Sequence, residues 1–106
     1  MKLYIVCWGS ASLDDDGNAR SYSGVHGVYA NLDKAKQGLI DCKDECYDEL
    51  VNDPDFDEEV REEIKSTISV YGSVGEGYFE IDYTLGTSPC ETYINLVEKE
   101  VTNFDC

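Results

Sequence analysis

The sequence predicts an α+β fold of two layers: a mostly antiparallel sheet of four to five strands with an acidic two-helix hairpin on one face, in the order ββααβββ. Three observations predict it. The chain opens on a β-branched and aromatic run, its middle repeats apolar residues at threes and fours, and beyond Ser66 the apolar period falls to two. With 106 residues, 42% of them hydrophobic, there is apolar material for one core and one domain spanning residues 1–106.

Leu3-Tyr4-Ile5-Val6-Cys7-Trp8 is apolar throughout, as a central strand requires, and ends at Gly9-Ser10. Asp14-Asp15-Asp16-Gly17-Asn18 forms a turn cluster, and valine and tyrosine then recur among small residues from Tyr22 to Ala30. The two runs pair as a hairpin with a long loop, and Gly24 and Gly27 signal a bulge or a close backbone approach. Asn31 is an N-cap, Leu32, Ala35, Leu39, Cys42, Cys46 and Leu50 form one buried helical stripe, and Asn52 closes the helix. Asp53-Pro54 has the form of an N-cap with proline at the first helical position, and Phe56, Val60 and Ile64 give a second, shorter helix its stripe. Ile68 and Val70 begin a strand, Gly72 to Gly77 turns the chain, and Phe79, Ile81, Tyr83 and Leu85 alternate with Glu80, Asp82 and Thr84 as in a strand with one wet face. Gly86 to Pro89 turns it again before a last strand through Thr92, Ile94 and Leu96.

The charge is concentrated. Of a formal net charge of -15, ten units sit between Asp41 and Glu63, where twelve acids face only Lys43 and Arg61. Helical geometry of ~100° per residue puts Asp41, Asp44, Glu45, Asp48 and Glu49 on one arc opposite the buried stripe, and Glu58, Glu59, Glu62 and Glu63 extend the acid onto the second helix. Like charges at i and i+4 cost an isolated helix roughly 0.2–0.5 kcal/mol per pair, and interspersed lysines would recover that energy. Tyr47, with Ile40, falls at the rim of the arc and is a candidate aromatic anchor. The alternative is that the acid is a solvated face and the eight tyrosines are half-buried sheet residues.

So few basic residues exclude direct binding of nucleic acid, which depends on Lys and Arg displacing counterions, and of anionic membrane surfaces. A basic partner fits instead. The opening apolar run is shorter than a signal sequence needs, no stretch approaches a membrane span, and five cysteines without a CxxC pair suggest reduced thiols in a cytoplasm.

Sites for chemistry are weak. Asp14-x-Asp16-x-Asn18 and Asp53-x-Asp55-x-Asp57 both lack the glycine and the bidentate Glu of a calcium loop. Cys42 and Cys46 lie on the buried stripe with nothing to complete a zinc site. His26, the only histidine, has no nucleophile motif beside it, although Cys7 or Cys90 would be its partners in an enzyme. The glycine-rich 72–77 segment has no helix after it to aim amides at a phosphate. No catalytic residue, metal or cofactor is expected.

Tyr4-Ile5-Val6, Gly27-Val28-Tyr29 and Lys34-Ala35-Lys36 give the first half a resemblance to small phage- and prophage-encoded proteins that run strand, Gly-Val-Tyr strand, amphipathic helix. The acidic hairpin and Tyr-rich strands of the second half are similar in character to phage-encoded inhibitors of host defence, including anti-CRISPR proteins and other DNA mimics. That group shares a strategy and no residue-level motif. The resemblance implies a non-enzymatic inhibitor, monomeric or homodimeric, that occupies the basic nucleic-acid groove of a host CRISPR effector or similar nuclease in the bacterial cytoplasm. The alternative is a small accessory or adaptor domain that binds protein through a sheet edge or its tyrosines.

Overall fold

Alternation in the strands and a 3.6-residue period in the middle build two layers. The structure, a computed structural model, describes residues 1–13, 18–86 and 88–101. The elements are β1 (Lys2–Leu13), β2 (Ala19–Tyr29), α1 (Leu32–Asn52), α2 (Glu58–Thr67), β3 (Ser69–Ser73), β4 (Tyr78–Leu85) and β5 (Ser88–Glu100). They form a five-stranded sheet of order β2-β1-β5-β4-β3 with every neighbouring pair antiparallel. The expected α+β order stands, and both hairpin halves meet at the β1–β5 seam.

The helices cover one face. On it Val6 is opposite Leu96, and Trp8 is opposite Ile94, itself opposite Phe79. Val6, Ile81 and Ile94 are fully buried there under Leu39 and Cys42 of α1, and Trp8, Tyr29, Tyr47, Leu50, Phe79 and Leu96 pack around them. Ile64 of α2 is likewise fully buried. Asn31 caps α1 by accepting from the Lys34 amide.

Gly24 and Gly27 carry out both of the roles expected of them. Between Val6 and Cys7 the register jumps from Gly27 to Val25, which leaves His26 as the extra residue of a bulge. A Cβ on Gly24 would lie 3.0 Å from the Trp8 indole, and one on Gly27 would lie 2.7 Å from Tyr29 Oη. The Tyr29 ring is wedged between Gly27 and Gly38 of α1, where a Cβ would come within 2.7 Å of Cζ. Alanine normally favours a helix interior over glycine by ~1 kcal/mol. Gly38→Ala is expected instead to destabilise the protein by about 1–3 kcal/mol, because the added methyl would displace the Tyr29 ring from its place between the two glycines; chemical denaturation reads the sign directly.

Several boundaries differ from expectation. β1 runs on to Leu13 and β2 begins at Ala19, because the hairpin continues pairing beyond Gly9. The cap of α2 is Asp57, whose carboxylate accepts from the Val60 amide, whereas Asp53 accepts from the Asp55 amide and folds residues 53–56 into a turn. An Asp before Pro satisfies its neighbour's N–H as well in a turn as in a helix, so Phe56 precedes the helix. Leu32, expected on the buried stripe, is 39% exposed as the first residue of α1, and the stripe becomes buried only from Ala35. β5 starts at Ser88 and takes in Pro89, which pairs with Thr84.

Candidate functional site

The acidic helical face is built as the periodicity requires. Asp41, Asp44, Glu45, Asp48, Glu49, Glu58, Glu59 and Glu62 are all exposed, and Glu63 is half-buried because its carboxylate accepts from the Gly86 amide. Asp44 pairs with Lys43 at 2.6 Å, Glu62 with Lys65 at 3.6 Å, and Glu45 lies 3.7 Å from His26 Nδ1. Asp41 accepts from Gln37. Among the described residues, Asp48, Glu49, Glu58 and Glu59 have no cationic partner. Glu58 and Glu59 sit in the first turn of α2, where the helix dipole welcomes them. Asp48 and Glu49 are at the opposite, unfavourable end of α1, whose last turn holds no basic residue. Tyr47 is half-buried against the core and so is fixed in place beside this acid.

The far face of the sheet is uncovered by any helix. Register places Val28, Ile5 and Val97 in one row, then Val25, Cys7, Asn95 and Tyr78, then Gly9, Tyr93, Glu80 and Tyr71, then Ala11, Glu91, Asp82 and Ser69. Val25 is 61% exposed and Val28 57%, and Tyr71, Tyr78 and Tyr93 are exposed beside them. Asp82 and Glu91 oppose each other directly, an unfavourable pairing of like charges, and Asp82 Oδ1 is buried without a hydrogen-bond partner among the described residues. Partial burial, helped by the charges of Asp82 and Glu91, raises the Glu80 carboxyl above its ordinary value. The hydrogen bond that Tyr93 Oη donates to Glu91 pushes that phenol up to about 12. The far face stays uncovered because both helices lie on the same side of the sheet, as the alternation and the single hairpin led one to expect.

A cleft of ≈ 300 Å³ opens between α1 and the covered face of the sheet. Trp8, Ser10 and Thr92 line its sheet side, Cys42, Cys46 and Leu50 its helix side, and Phe56 and Tyr83 also border it. His26, Glu45, Glu49 and Asp53 complete the lining. His26 thus meets Cys42 and Cys46 there, not Cys7, whose strand position faces the other side of the sheet. Burial pushes the Cys42 thiol up to about 12, with Cys46 adding to it, and raises Cys46 too. A nucleophile needs the reverse shift. Burial also pushes Tyr83 up to about 12.

These shifts have a sign in stability. A thiol or phenol raised on folding favours the folded state fully below its unfolded pKa, and that contribution is lost as pH climbs toward the folded value. The melting temperature is therefore expected to hold to about pH 9 and fall from there toward about pH 12, where Cys42 and Tyr83 ionise. At pH 8, Cys42 should react with a thiol reagent only at the rate of unfolding, as timed labelling with mass spectrometry would show.

Among the described residues no group of three or more His, Cys, Asp or Glu side chains is placed to hold a metal ion, and no helix is long and apolar enough to cross a membrane. The Asp14-x-Asp16 pattern and Cys106 lie outside the described residues. Residues 74–77 form the turn between β3 and β4, as expected of the glycine-rich segment. Comparison with family models, curated proteins and solved structures finds no match to this chain.

Proposed function

We propose that the protein is a non-enzymatic inhibitor that lays its acidic helical surface on the Lys/Arg-rich groove of a host nucleic-acid enzyme, a CRISPR effector or similar nuclease, inside a bacterial cell. Asp41, Asp44, Glu45, Asp48 and Glu49 of α1 would take the place of phosphates, Glu58, Glu59, Glu62 and Glu63 of α2 would extend the display, and Tyr47 would anchor its rim. The observation that carries this reading is the pair Asp48 and Glu49, exposed, without a cationic partner among the described residues and at the wrong end of a helix dipole. Folding alone gains nothing from carboxylates there. Acids on successive turns stand ~6 Å apart along the axis, close to twice the ~3.4 Å rise between phosphates of one DNA strand.

The test is retention of a nuclease on the immobilised protein at low salt, its release by a salt gradient, and its displacement by its own guide RNA or DNA. Steep salt dependence with displacement supports mimicry. Retention of unrelated basic proteins only, with no displacement, overturns it.

The uncovered sheet face favours a second reading, an adaptor domain that binds protein through Val25, Val28, Tyr71, Tyr78 and Tyr93. Such a complex would respond weakly to salt and would survive replacement of the helical acids.

A further inference from the structure

The cleft beneath α1 has features that core packing does not explain. Thr92 is 6% exposed, and its hydroxyl has no hydrogen-bond partner among the described residues although it borders the cleft. Ser10, its cross-strand neighbour on β1, is also without a hydroxyl partner and borders the same space. Both hydroxyls open onto the water of the cleft, and an occupant that displaces that water must supply the bond it made. Trp8, adjacent to Ser10's row, and Phe56 add aromatic surface. Glu45 and Glu49, one helical turn apart, bring negative charge, and Glu49 is unpaired among the described residues.

These features restrict the occupant. An anion would meet Glu45, Glu49 and Asp53. A neutral apolar group would leave Ser10 and Thr92 unsatisfied. A compact ammonium is strongly hydrated and has no flat surface to lay on an indole. A guanidinium is planar, carries five N–H donors and no acceptor, stacks on aromatic rings and gives up its water more readily. The ≈ 300 Å³ volume is at the small end for a ligand pocket and suits one long side chain. Arg61 does not fill it, because its Nη1 donates to the Asp53 carbonyl from outside the lining.

We infer that this cleft is a socket for an arginine side chain on the partner's surface, with the guanidinium on Trp8, its N–H groups donated to Thr92, Ser10 and Glu49. The inference rests on the inhibitor reading and deepens it: a groove that holds nucleic acid is rich in arginine, and the acidic face then has one fixed point of register.

Trp8 is the only tryptophan in the chain, so its emission reports the socket directly. The full chain is titrated with acetyl-Gly-Arg-Gly-amide and with the matching lysine peptide. The arginine peptide is expected to give a saturable change in the millimolar range, and the lysine peptide a response at least ~10-fold weaker. Thr92→Val, which keeps the side-chain shape, and Glu49→Gln, on the surface, should each weaken the arginine peptide ~10-fold with an unchanged circular-dichroism spectrum. No saturable change, an equal response to lysine, or indifference to both variants overturns the socket. Asp44→Lys with Asp48→Lys lies outside the cleft lining and separates the two ideas. That variant should keep the arginine peptide and lose the nuclease, whereas an unsubstituted chain that binds the arginine peptide but captures no nuclease defeats the inhibitor reading alone. A chain that captures a displaceable nuclease equally well with Thr92→Val and Glu49→Gln defeats the socket alone.

Discussion

Replacing Asp44, Glu45, Asp48 and Glu49 together by lysine is expected to cut affinity for a basic groove by at least ~100-fold while the circular-dichroism spectrum stays that of the folded chain. All four carboxylates are exposed, so the core under Leu39 and Cys42 does not feel the change. Within the chain the replacement breaks the short Lys43–Asp44 pair and the longer Glu45–His26 pair, and exposed pairs of this kind contribute roughly 0–1 kcal/mol each. A basic partner, by contrast, would meet four reversed charges on the proposed surface, and steering alone changes association rates by about 10- to 1000-fold. Binding measured by calorimetry or surface capture at low salt checks the result. Affinity unchanged in the folded variant would remove the helical face from consideration and leave the open sheet face as the binding surface.

Leu39→Ala is expected to be the most damaging single truncation in the protein. Leu39 is fully buried at the centre of the interface, where Val6, Ile81, Ile94 and Cys42 surround it, and few large side chains are buried that completely. Truncations of this type cost about 2–5 kcal/mol through lost transfer energy and the cavity left behind. In a chain of 106 residues that lowers the melting temperature by about 10 °C or more. Leu32→Ala is the control: the same residue type on the same helix, 39% exposed, should change stability by less than about 1 kcal/mol. Denaturant titration of both variants, with the slope unchanged, checks the contrast.

The fold was legible because its signals are local. Alternation through Phe79, Ile81, Tyr83 and Leu85, the Asn31 cap and the stripe through Ala35, Leu39 and Cys42 each report a neighbour a few residues away. The start of α2 was misplaced at Asp53-Pro54, because the Asp53 carboxylate closes a turn on the Asp55 amide and Asp57 caps the helix by accepting from the Val60 amide. The acidic face was legible for the same reason as the stripe opposite it. The cleft was not, since it joins Trp8 and Thr92 of two strands to Glu45 and Glu49 of a helix far from either in the chain. One trace of it was present: Thr92 is the polar member of an apolar alternation with Ile94 and Leu96. The strand order was not legible either, because nothing local fixes β5 between β1 and β4.

That position of β5 governs how the chain is made. It lies in the middle of the sheet and is the last of the described elements to leave the ribosome. Until residues 88–100 have emerged, β1 and β4 each carry an open edge, and Ile94 is missing from between Val6 and Ile81. The nascent chain is then two half-sheets joined by a helical hairpin, the form in which exposed edges and apolar faces find one another on neighbouring copies. The hairpin precedes β5 in the chain, and its concentrated negative charge opposes close approach of like chains while those edges are open.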